Sequence, residues 1–83
     1  MIEIYTKDYC GFCVKAKNKM KEKNMEFKEY KVGVDASKED IQARLDTLGI
    51  SKQVKTVPQI FVDDKYVGGC DDFMRFIGEA WWK

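Results

Sequence analysis

Along this 83-residue chain the spacing of apolar residues changes several times, and each change marks a new predicted element. Short runs that are apolar, or that alternate with polar residues, predict four strands. These strands are Ile2–Tyr5, Phe27–Val32, Gln59–Val62 and Tyr66–Val67. The polar residues Asp63, Asp64 and Lys65 separate the last two strands by a turn, so we expect a hairpin there.

Three further segments carry apolar residues at the spacing of a helix. The first runs from Gly11 to about Asn24, and its inner face consists of Cys13, Ala16 and Met20. Ser37 is the predicted N-cap of the second helix, and Gly49 ends it. The inner face of this second helix consists of Ile41, Leu45 and Leu48. The third helix begins at about Asp71, and its core stripe consists of Phe73, Phe76, Ile77, Ala80 and Trp81.

The order of these elements, β-α-β-α-β-β-α, predicts an α/β fold. A strand, a helix and a second strand in succession favour a right-handed crossover, which makes the first two strands parallel. Together with the hairpin, this crossover gives a mixed four-stranded sheet flanked by three helices. The length suits one domain, which we place at residues 1–83.

The composition excludes several classes of function. A net charge of +1 gives no overall field that would attract nucleic acid or anionic lipid, so we expect neither as a partner. No apolar run approaches the roughly 18 residues of a membrane span, and we recognise no signal peptide at the N-terminus. Three cysteines are an odd count, which argues against a secreted disulfide scaffold and favours a reducing compartment, the cytoplasm. The chain has no histidine, which excludes acid–base catalysis by imidazole.

Two cysteines stand where the first strand gives way to the first helix. The N–H groups and the positive dipole end of a helix favour a thiolate at Cys10, and the thiolate is the form that attacks a disulfide. Cys13 follows three residues later on the same face of the helix, which suits a reversible intramolecular disulfide. Two other interpretations stay open at this point. The pair could be half of a zinc site, which normally needs four ligands, or two inert core thiols.

Three separated motifs resemble the glutaredoxin family, and the resemblance covers nearly the whole chain. The motifs are Cys10-Gly11-Phe12-Cys13, Thr56-Val57-Pro58 and Gly68-Gly69-Cys70-Asp71-Asp72. The chain looks most like the small dithiol glutaredoxins of bacteria and their phages, although Gly11 and Phe12 replace the usual proline and tyrosine. The resemblance implies a thioredoxin fold. It also implies a glutathione-dependent oxidoreductase that reduces protein disulfides and glutathione mixed disulfides.

The resemblance assigns roles to the residues around the dithiol. Cys10 is the implied nucleophile, and its position nearer the start of the helix agrees with this role. Cys13 is implied to resolve the mixed disulfide. Pro58 is implied to follow a cis peptide bond beside the cysteines. Such a bend turns the backbone groups of Val57 outward, where they can pair with the cysteinyl backbone of glutathione.

The resemblance also implies a glutathione-binding set, which consists of Lys7, Phe12, Thr56, Val57, Gly69, Cys70, Asp71 and Asp72. Cys70 is expected to contribute its backbone, because a helix N-terminus binds a carboxylate, and Asp72 is expected to bind the neighbouring ammonium of the γ-glutamyl group. Lys7 is the expected partner of the glycine carboxylate, with Gln42 or Arg44 as a possible assistant. No residue is assigned to a metal.

Glutathione is the implied co-substrate, and disulfide-containing proteins are the implied partners, with ribonucleotide reductase as the family-level expectation. We expect a monomer with no bound metal as isolated. One alternative function is an iron–sulfur carrier, in which two chains bridge a [2Fe–2S] cluster through Cys10 and glutathione. Another is a thioredoxin-like docking module whose dithiol is idle.

Overall fold

The computed structural model describes residues 1–78 of the chain. Its four strands are β1 (Ile2–Thr6), β2 (Phe27–Lys31), β3 (Gln59–Val62) and β4 (Lys65–Gly68). Its three helices are α1 (Gly11–Glu22), α2 (Lys38–Thr47) and α3 (Cys70–Phe76). The predicted order of elements is confirmed.

The four strands form one mixed sheet in the order β2-β1-β3-β4. Strand β1 pairs in parallel with β2 and antiparallel with β3, and β3 pairs antiparallel with β4. Asp63 and Asp64 connect β3 to β4 with φ angles of +49° and +65°. Aspartate adopts this left-handed conformation more readily than most residues, so the pair suits a two-residue hairpin turn. The predicted mixed sheet and hairpin are therefore confirmed.

Successive residues of the central strands point to opposite faces of the sheet and supply two apolar clusters. The first cluster joins the sheet to α1 and α3, and consists of Ile4, Ala16, Met20, Ile60, Cys70, Phe73 and Met74. The second joins the opposite face to α2, and consists of Tyr5, Ile41, Leu45, Val54 and Phe61. Because the first cluster joins both helices to the sheet, it fixes where α1 and α3 begin relative to β3.

Helix α2 begins as predicted but differs at its end. The Ser37 hydroxyl accepts a hydrogen bond from the Asp40 N–H at 3.1 Å, and the Asp40 carboxylate accepts one from the Ser37 N–H at 2.8 Å. This reciprocal cap confirms the predicted start. The prediction that Leu48 belongs to the inner face is wrong, since this side chain is 43% exposed. Leu48 is the C-cap of α2, so it follows the last helical turn and leaves the apolar face.

Helix α3 presents a different face to the core from the one predicted. Phe76 was expected in the core stripe but is 60% exposed, whereas Met74 is buried beside Phe73. The helix ends at Phe76, because Gly78 follows with a φ angle of +78°, a conformation in which glycine commonly ends helices. The remaining members of the predicted stripe, Ala80 and Trp81, lie outside the described residues. None of the helices among residues 1–78 is long and apolar enough to cross a membrane.

Candidate active site

Cys10 occupies the N-cap position of α1. Its backbone is extended, with φ −105° and ψ 104°, and its Sγ accepts a hydrogen bond from the Cys13 N–H at 3.1 Å. The predicted contact between the first thiol and an N–H group at the start of the helix is therefore present. Cys10 and Cys13 form a disulfide, and their Cα atoms lie 5.2 Å apart. The spacing of the two thiols thus supports reversible disulfide formation, as predicted.

The two cysteines differ in accessibility. Cys13 is only 1% exposed, because it faces inward from α1, whereas Cys10 is half-buried. The Sγ of Cys10 lies 3.7 Å from the carbonyl oxygen of Val57, immediately before Pro58. An incoming sulfur can therefore reach Cys10 but not Cys13. The Val57–Pro58 peptide bond is cis, as the resemblance implied.

A cleft of about 340 Å³ lies beside the dithiol, where the starts of α1, β3 and α3 converge. The residues that border it are Phe12, Lys52, Thr56, Val57, Pro58, Gln59, Gly69, Cys70, Asp71 and Asp72. The structure thus brings together all of the implied glutathione-binding set except Lys7. The volume falls within the range of about 300–1,000 Å³ that is typical of small-molecule sites.

Two hydrogen bonds hold the segment before Pro58 in place. The side chain of Gln59 donates to the carbonyl of Thr56 at 2.8 Å, and its amide oxygen accepts a hydrogen bond from the Tyr66 hydroxyl at 2.6 Å. Gln59 is only 4% exposed, so these bonds satisfy a buried amide. Gln59 and Tyr66 could not be recognised from the sequence, because a lone glutamine and a lone tyrosine carry no recognisable signal.

The start of α3 forms the acidic end of the cleft. The Asp72 carboxylate accepts a hydrogen bond from the Gly69 N–H at 3.2 Å and lies 3.3 Å from the Arg75 guanidinium. Gly68 has a φ angle of +124°, and a Cβ at this position would lie 2.8 Å from the Cγ of Asp72. Only glycine therefore fits beside this carboxylate. Asp72 caps the helix and also borders the cleft, so its observed role in the cap is geometrically compatible with its predicted role as a ligand.

Cys70 borders the cleft but is chemically unlike Cys10. Its side chain is 5% exposed and belongs to the apolar cluster under α3. Burial raises the pKa of the Cys70 thiol above its ordinary value. A buried thiol of this kind is a poor nucleophile, so Cys70 fits a structural role.

Lys7 does not border the cleft, although it lies close to it. It is exposed and borders a smaller recess of about 90 Å³, which shares Thr56 and Val57 with the cleft. Lys38 and Lys55 border the same recess. Neither lysine could be recognised from the sequence, because nothing in their spacing distinguishes them from ordinary surface residues.

Gln42 and Arg44 border neither the cleft nor the recess of Lys7, and both side chains have other partners, so their assistance to Lys7 stays a prediction. The Gln42 side chain donates to the Lys52 carbonyl at 2.8 Å and accepts a hydrogen bond from the Val54 N–H at 2.9 Å. Arg44 forms an ion pair with Glu3 at 2.7 Å, and this hydrogen bond raises the pKa of Arg44. Both side chains therefore stabilise the fold.

A separate recess of about 380 Å³ is bordered by both cysteines and by an ion pair. The Lys17 ammonium lies 2.9 Å from the Glu29 carboxylate, which also accepts a hydrogen bond from the buried Thr6 hydroxyl at 2.6 Å. These hydrogen bonds, from Thr6 first and then Lys17, lower the pKa of Glu29. The charges of the Lys17 ammonium and the Glu29 carboxylate therefore compensate each other. Within residues 1–78, no group of three or more His, Cys, Asp or Glu side chains is arranged to hold a metal ion.

Comparison with known proteins agrees with this geometry. The model of the glutaredoxin family matches residues 2–67. A probable glutaredoxin of Synechocystis is 40% identical over 78 residues, which cover 93% of this chain and 82% of that protein. The crystal structure of glutaredoxin 1 from Francisella tularensis, complexed with cacodylate, aligns with a TM-score of 0.76 and 30% identity, over 99% of this chain and 96% of that one.

A third relative is the buckwheat glutaredoxin, whose crystal structure contains glutathione. It aligns with a TM-score of 0.69 and 28% identity, over 89% of this chain and 64% of the buckwheat chain. The paired cysteines at a helix start, the fold and the matched family model lead to one conclusion. This chain belongs to the glutaredoxin family and is a thiol–disulfide oxidoreductase.

Proposed function

We propose that this protein reduces glutathione mixed disulfides and protein disulfides, and that Cys10 is the nucleophile in both reactions. One observation carries the proposal. The Sγ of Cys10, which is the accessible sulfur of the disulfide, lies 3.7 Å from the carbonyl oxygen of Val57. Val57 in turn borders the cleft of about 340 Å³. A substrate that occupies the cleft can thus present its own sulfur to Cys10.

For a glutathione mixed disulfide, the Cys10 thiolate attacks the sulfur of the glutathionyl group. A new sulfur–sulfur bond joins Cys10 to glutathione, and the substrate leaves as a thiolate that takes up a proton. A second glutathione thiolate then attacks this mixed disulfide and releases oxidised glutathione. Cys10 returns as a thiolate. One glutathione is consumed as the reductant, and the other half of the oxidised glutathione is the glutathionyl group taken from the substrate.

For a protein disulfide, Cys10 attacks one sulfur and forms a mixed disulfide with the partner. Cys13 then loses its proton and attacks the Cys10 sulfur, which releases the partner as a dithiol. The product is the Cys10–Cys13 disulfide, the state that the structure contains. Two glutathione molecules reduce this disulfide and become oxidised glutathione.

The charges along the cleft support one direction of glutathione binding. The γ-glutamyl group carries an ammonium and a carboxylate, which suit Asp72 and the N–H groups at the start of α3. The cysteinyl backbone pairs with the backbone of Val57, beside the Cys10 sulfur. The glycine carboxylate reaches Lys7 in the adjoining recess. Phe12, which is 56% exposed, covers the bound peptide from the start of α1.

The remaining members of the set act through their backbone or their position. Thr56 precedes Val57, and its carbonyl is held by Gln59. Gly69 is the N-cap of α3, and Cys70 and Asp71 begin its first turn at the border of the cleft. The N–H groups of Cys70 and Asp71 have no partner within the helix, so they suit the γ-glutamyl carboxylate. The glutathione complex of the buckwheat relative supports a glutathione site in this fold.

Replacing Asp72 with asparagine, or Lys7 with glutamine, should weaken reduction of a glutathione mixed disulfide. Each change removes one charge-assisted contact, so kcat/KM should fall by an amount equivalent to about 1–3 kcal/mol. Asparagine keeps an acceptor for the Gly69 N–H, so the melting temperature of the Asp72→Asn variant should stay near that of the unmodified protein. Asp46→Asn and Lys21→Gln, on exposed helix surfaces outside the cleft, are the matched controls. Unchanged kcat/KM in both test variants would contradict the proposed orientation of glutathione.

We also propose a single domain over residues 1–83 that works as a cytoplasmic monomer and carries no metal as isolated. Its protein substrates include ribonucleotide reductase, as the family resemblance implies. The proximity of Cys13 supports the metal-free state, because disulfide formation removes Cys10 as an iron ligand. A coupled assay, in which glutathione reductase recycles oxidised glutathione, tests the reductase function directly. A brown dimer from anaerobic purification, with weak activity in that assay, would favour the [2Fe–2S] carrier instead.

A further inference from the structure

Beside Thr56 and Val57 the cleft adjoins a recess whose charged border residues, among residues 1–78, are all lysines. The recess that shares Thr56 and Val57 with the cleft has three charged residues at its border, namely Lys7, Lys38 and Lys55. Lys52 borders the cleft itself. We call Lys38, Lys52 and Lys55 the basic rim, and keep it distinct from Lys7, the proposed partner of the glycine carboxylate.

Within residues 1–78, no carboxylate forms an ion pair with an ammonium group of the basic rim. The Lys52 ammonium lies 5.3 Å from the centre of the Tyr66 ring, which leaves its positive charge uncompensated. Asp40 follows Lys38 closely in the sequence, but its carboxylate is held by the Ser37 N–H in the cap of α2. The rim therefore concentrates positive charge on a protein whose net charge is only +1.

Glutathione does not account for this charge. A bound glutathione brings one glycine carboxylate to this recess, and Lys7 suffices to pair with it. A single surface lysine contributes little to binding, but three lysines around the cleft and its adjoining recess raise the local potential for an anionic partner.

The chain of a protein substrate has to pass this rim. Its sulfur must approach Cys10, whose Sγ lies 3.7 Å from the Val57 carbonyl. Val57 borders both the cleft and the lysine-bordered recess. Residues next to the substrate cysteine therefore come close to Lys38 and Lys55.

We propose that the basic rim selects protein substrates whose reactive cysteine is flanked by acidic residues. The inference rests on the proposed function, because the substrate must be engaged with Cys10 for its flanks to meet the rim. Charges at the edge of an interface act mainly on the rate of association, and salt screens them over about 8 Å at physiological ionic strength. The preference should therefore appear in kcat/KM and weaken as salt is added.

The test compares two peptides that each contain an internal disulfide, because Cys10 then attacks a sulfur of the peptide itself. Glutamates flank the cysteines in one peptide, and glutamines replace them in the other. The coupled assay gives kcat/KM for both at low and high ionic strength. We expect the acidic peptide to be preferred roughly tenfold at low ionic strength, with most of the preference lost at high ionic strength.

The Lys38→Gln/Lys55→Gln double variant should lose most of this preference, with the larger change in kcat/KM for the acidic peptide. Lys52 is kept, because it also borders the glutathione cleft. The Lys21→Gln/Lys23→Gln variant removes the same charge from the end of α1, and its preference should match that of the unmodified protein.

Three outcomes would overturn the inference. If the unmodified protein has equal kcat/KM for the two peptides, the rim does not select substrates, although the reductase function stands. An equal loss of preference in the two double variants would show a general effect of net charge rather than recognition by the rim. Failure to reduce either peptide would remove the proposed function, and the inference with it.

Discussion

Replacing Cys10 with serine is expected to abolish reduction of both substrate classes, protein disulfides and glutathione mixed disulfides. An incoming disulfide can reach the sulfur of Cys10 but not that of Cys13, because Cys13 is only 1% exposed. Its position at the N-cap of α1, with the Cys13 N–H 3.1 Å from Sγ, stabilises a thiolate there. A serine hydroxyl in this position does not ionise near neutral pH and is a poor nucleophile toward sulfur.

Replacing Cys13 with serine should instead separate the two substrate classes. Reduction of glutathione mixed disulfides needs only Cys10 and a second glutathione, so it should persist. Reduction of protein disulfides that depend on both thiols should be lost, because no internal thiol releases the partner from Cys10. The coupled assay measures the first activity, and the appearance of the partner's thiols measures the second.

The two cysteine variants serve as controls for each other. Both serines are close in size to cysteine, so both proteins should keep the melting temperature of the reduced protein to within a few degrees. Complete loss of both activities in the Cys13→Ser protein would contradict the division of roles. Retained activity in the Cys10→Ser protein would show that another thiol is the nucleophile, with Cys70 the remaining cysteine.

The order of elements could be predicted because apolar spacing differs clearly between the strands and helices of this chain. The sequence could not determine which side of α3 is buried. Phe73, Met74, Phe76 and Ile77 are all apolar, so two overlapping stripes fit the helical period equally well. Packing against α1 decides between them, and it buries Met74 while leaving Phe76 exposed. The exposure of Leu48 could not be predicted either, because it depends on where α2 ends.

The cleft could be anticipated because its residues lie in short motifs, each at the start of an element. Residues outside such motifs were missed. Gln59 contributes through two side-chain hydrogen bonds, which no spacing reveals. Lys38 and Lys52 reach the site because α2 and the following segment fold toward it. Gln42 was named only as an alternative to Arg44 in assisting Lys7, and in the structure its amide holds the backbone of Lys52 and Val54.

Replacing Gly68 with alanine should lower both the stability of the protein and its activity with glutathione mixed disulfides. The φ angle of +124° is one that alanine rarely adopts, and such strain costs about 1–3 kcal/mol. The new Cβ would also lie 2.8 Å from the Cγ and 2.9 Å from the Cβ of Asp72. The Asp72 carboxylate must therefore move away from the Gly69 N–H, which removes the cap of α3 and the proposed ligand of the γ-glutamyl ammonium.

Gly33→Ala is the matched control for this prediction. Gly33 has a φ angle of +92°, but no atom lies within 4 Å of a Cβ built there, so alanine adds strain without a collision. We expect a fall in melting temperature of about 10 °C or more for Gly68→Ala and a smaller fall for Gly33→Ala. Only Gly68→Ala should raise the KM for a glutathione mixed disulfide, measured well below both melting temperatures. If KM is unchanged in that variant, Asp72 acts as a helix cap alone and another group binds the γ-glutamyl ammonium.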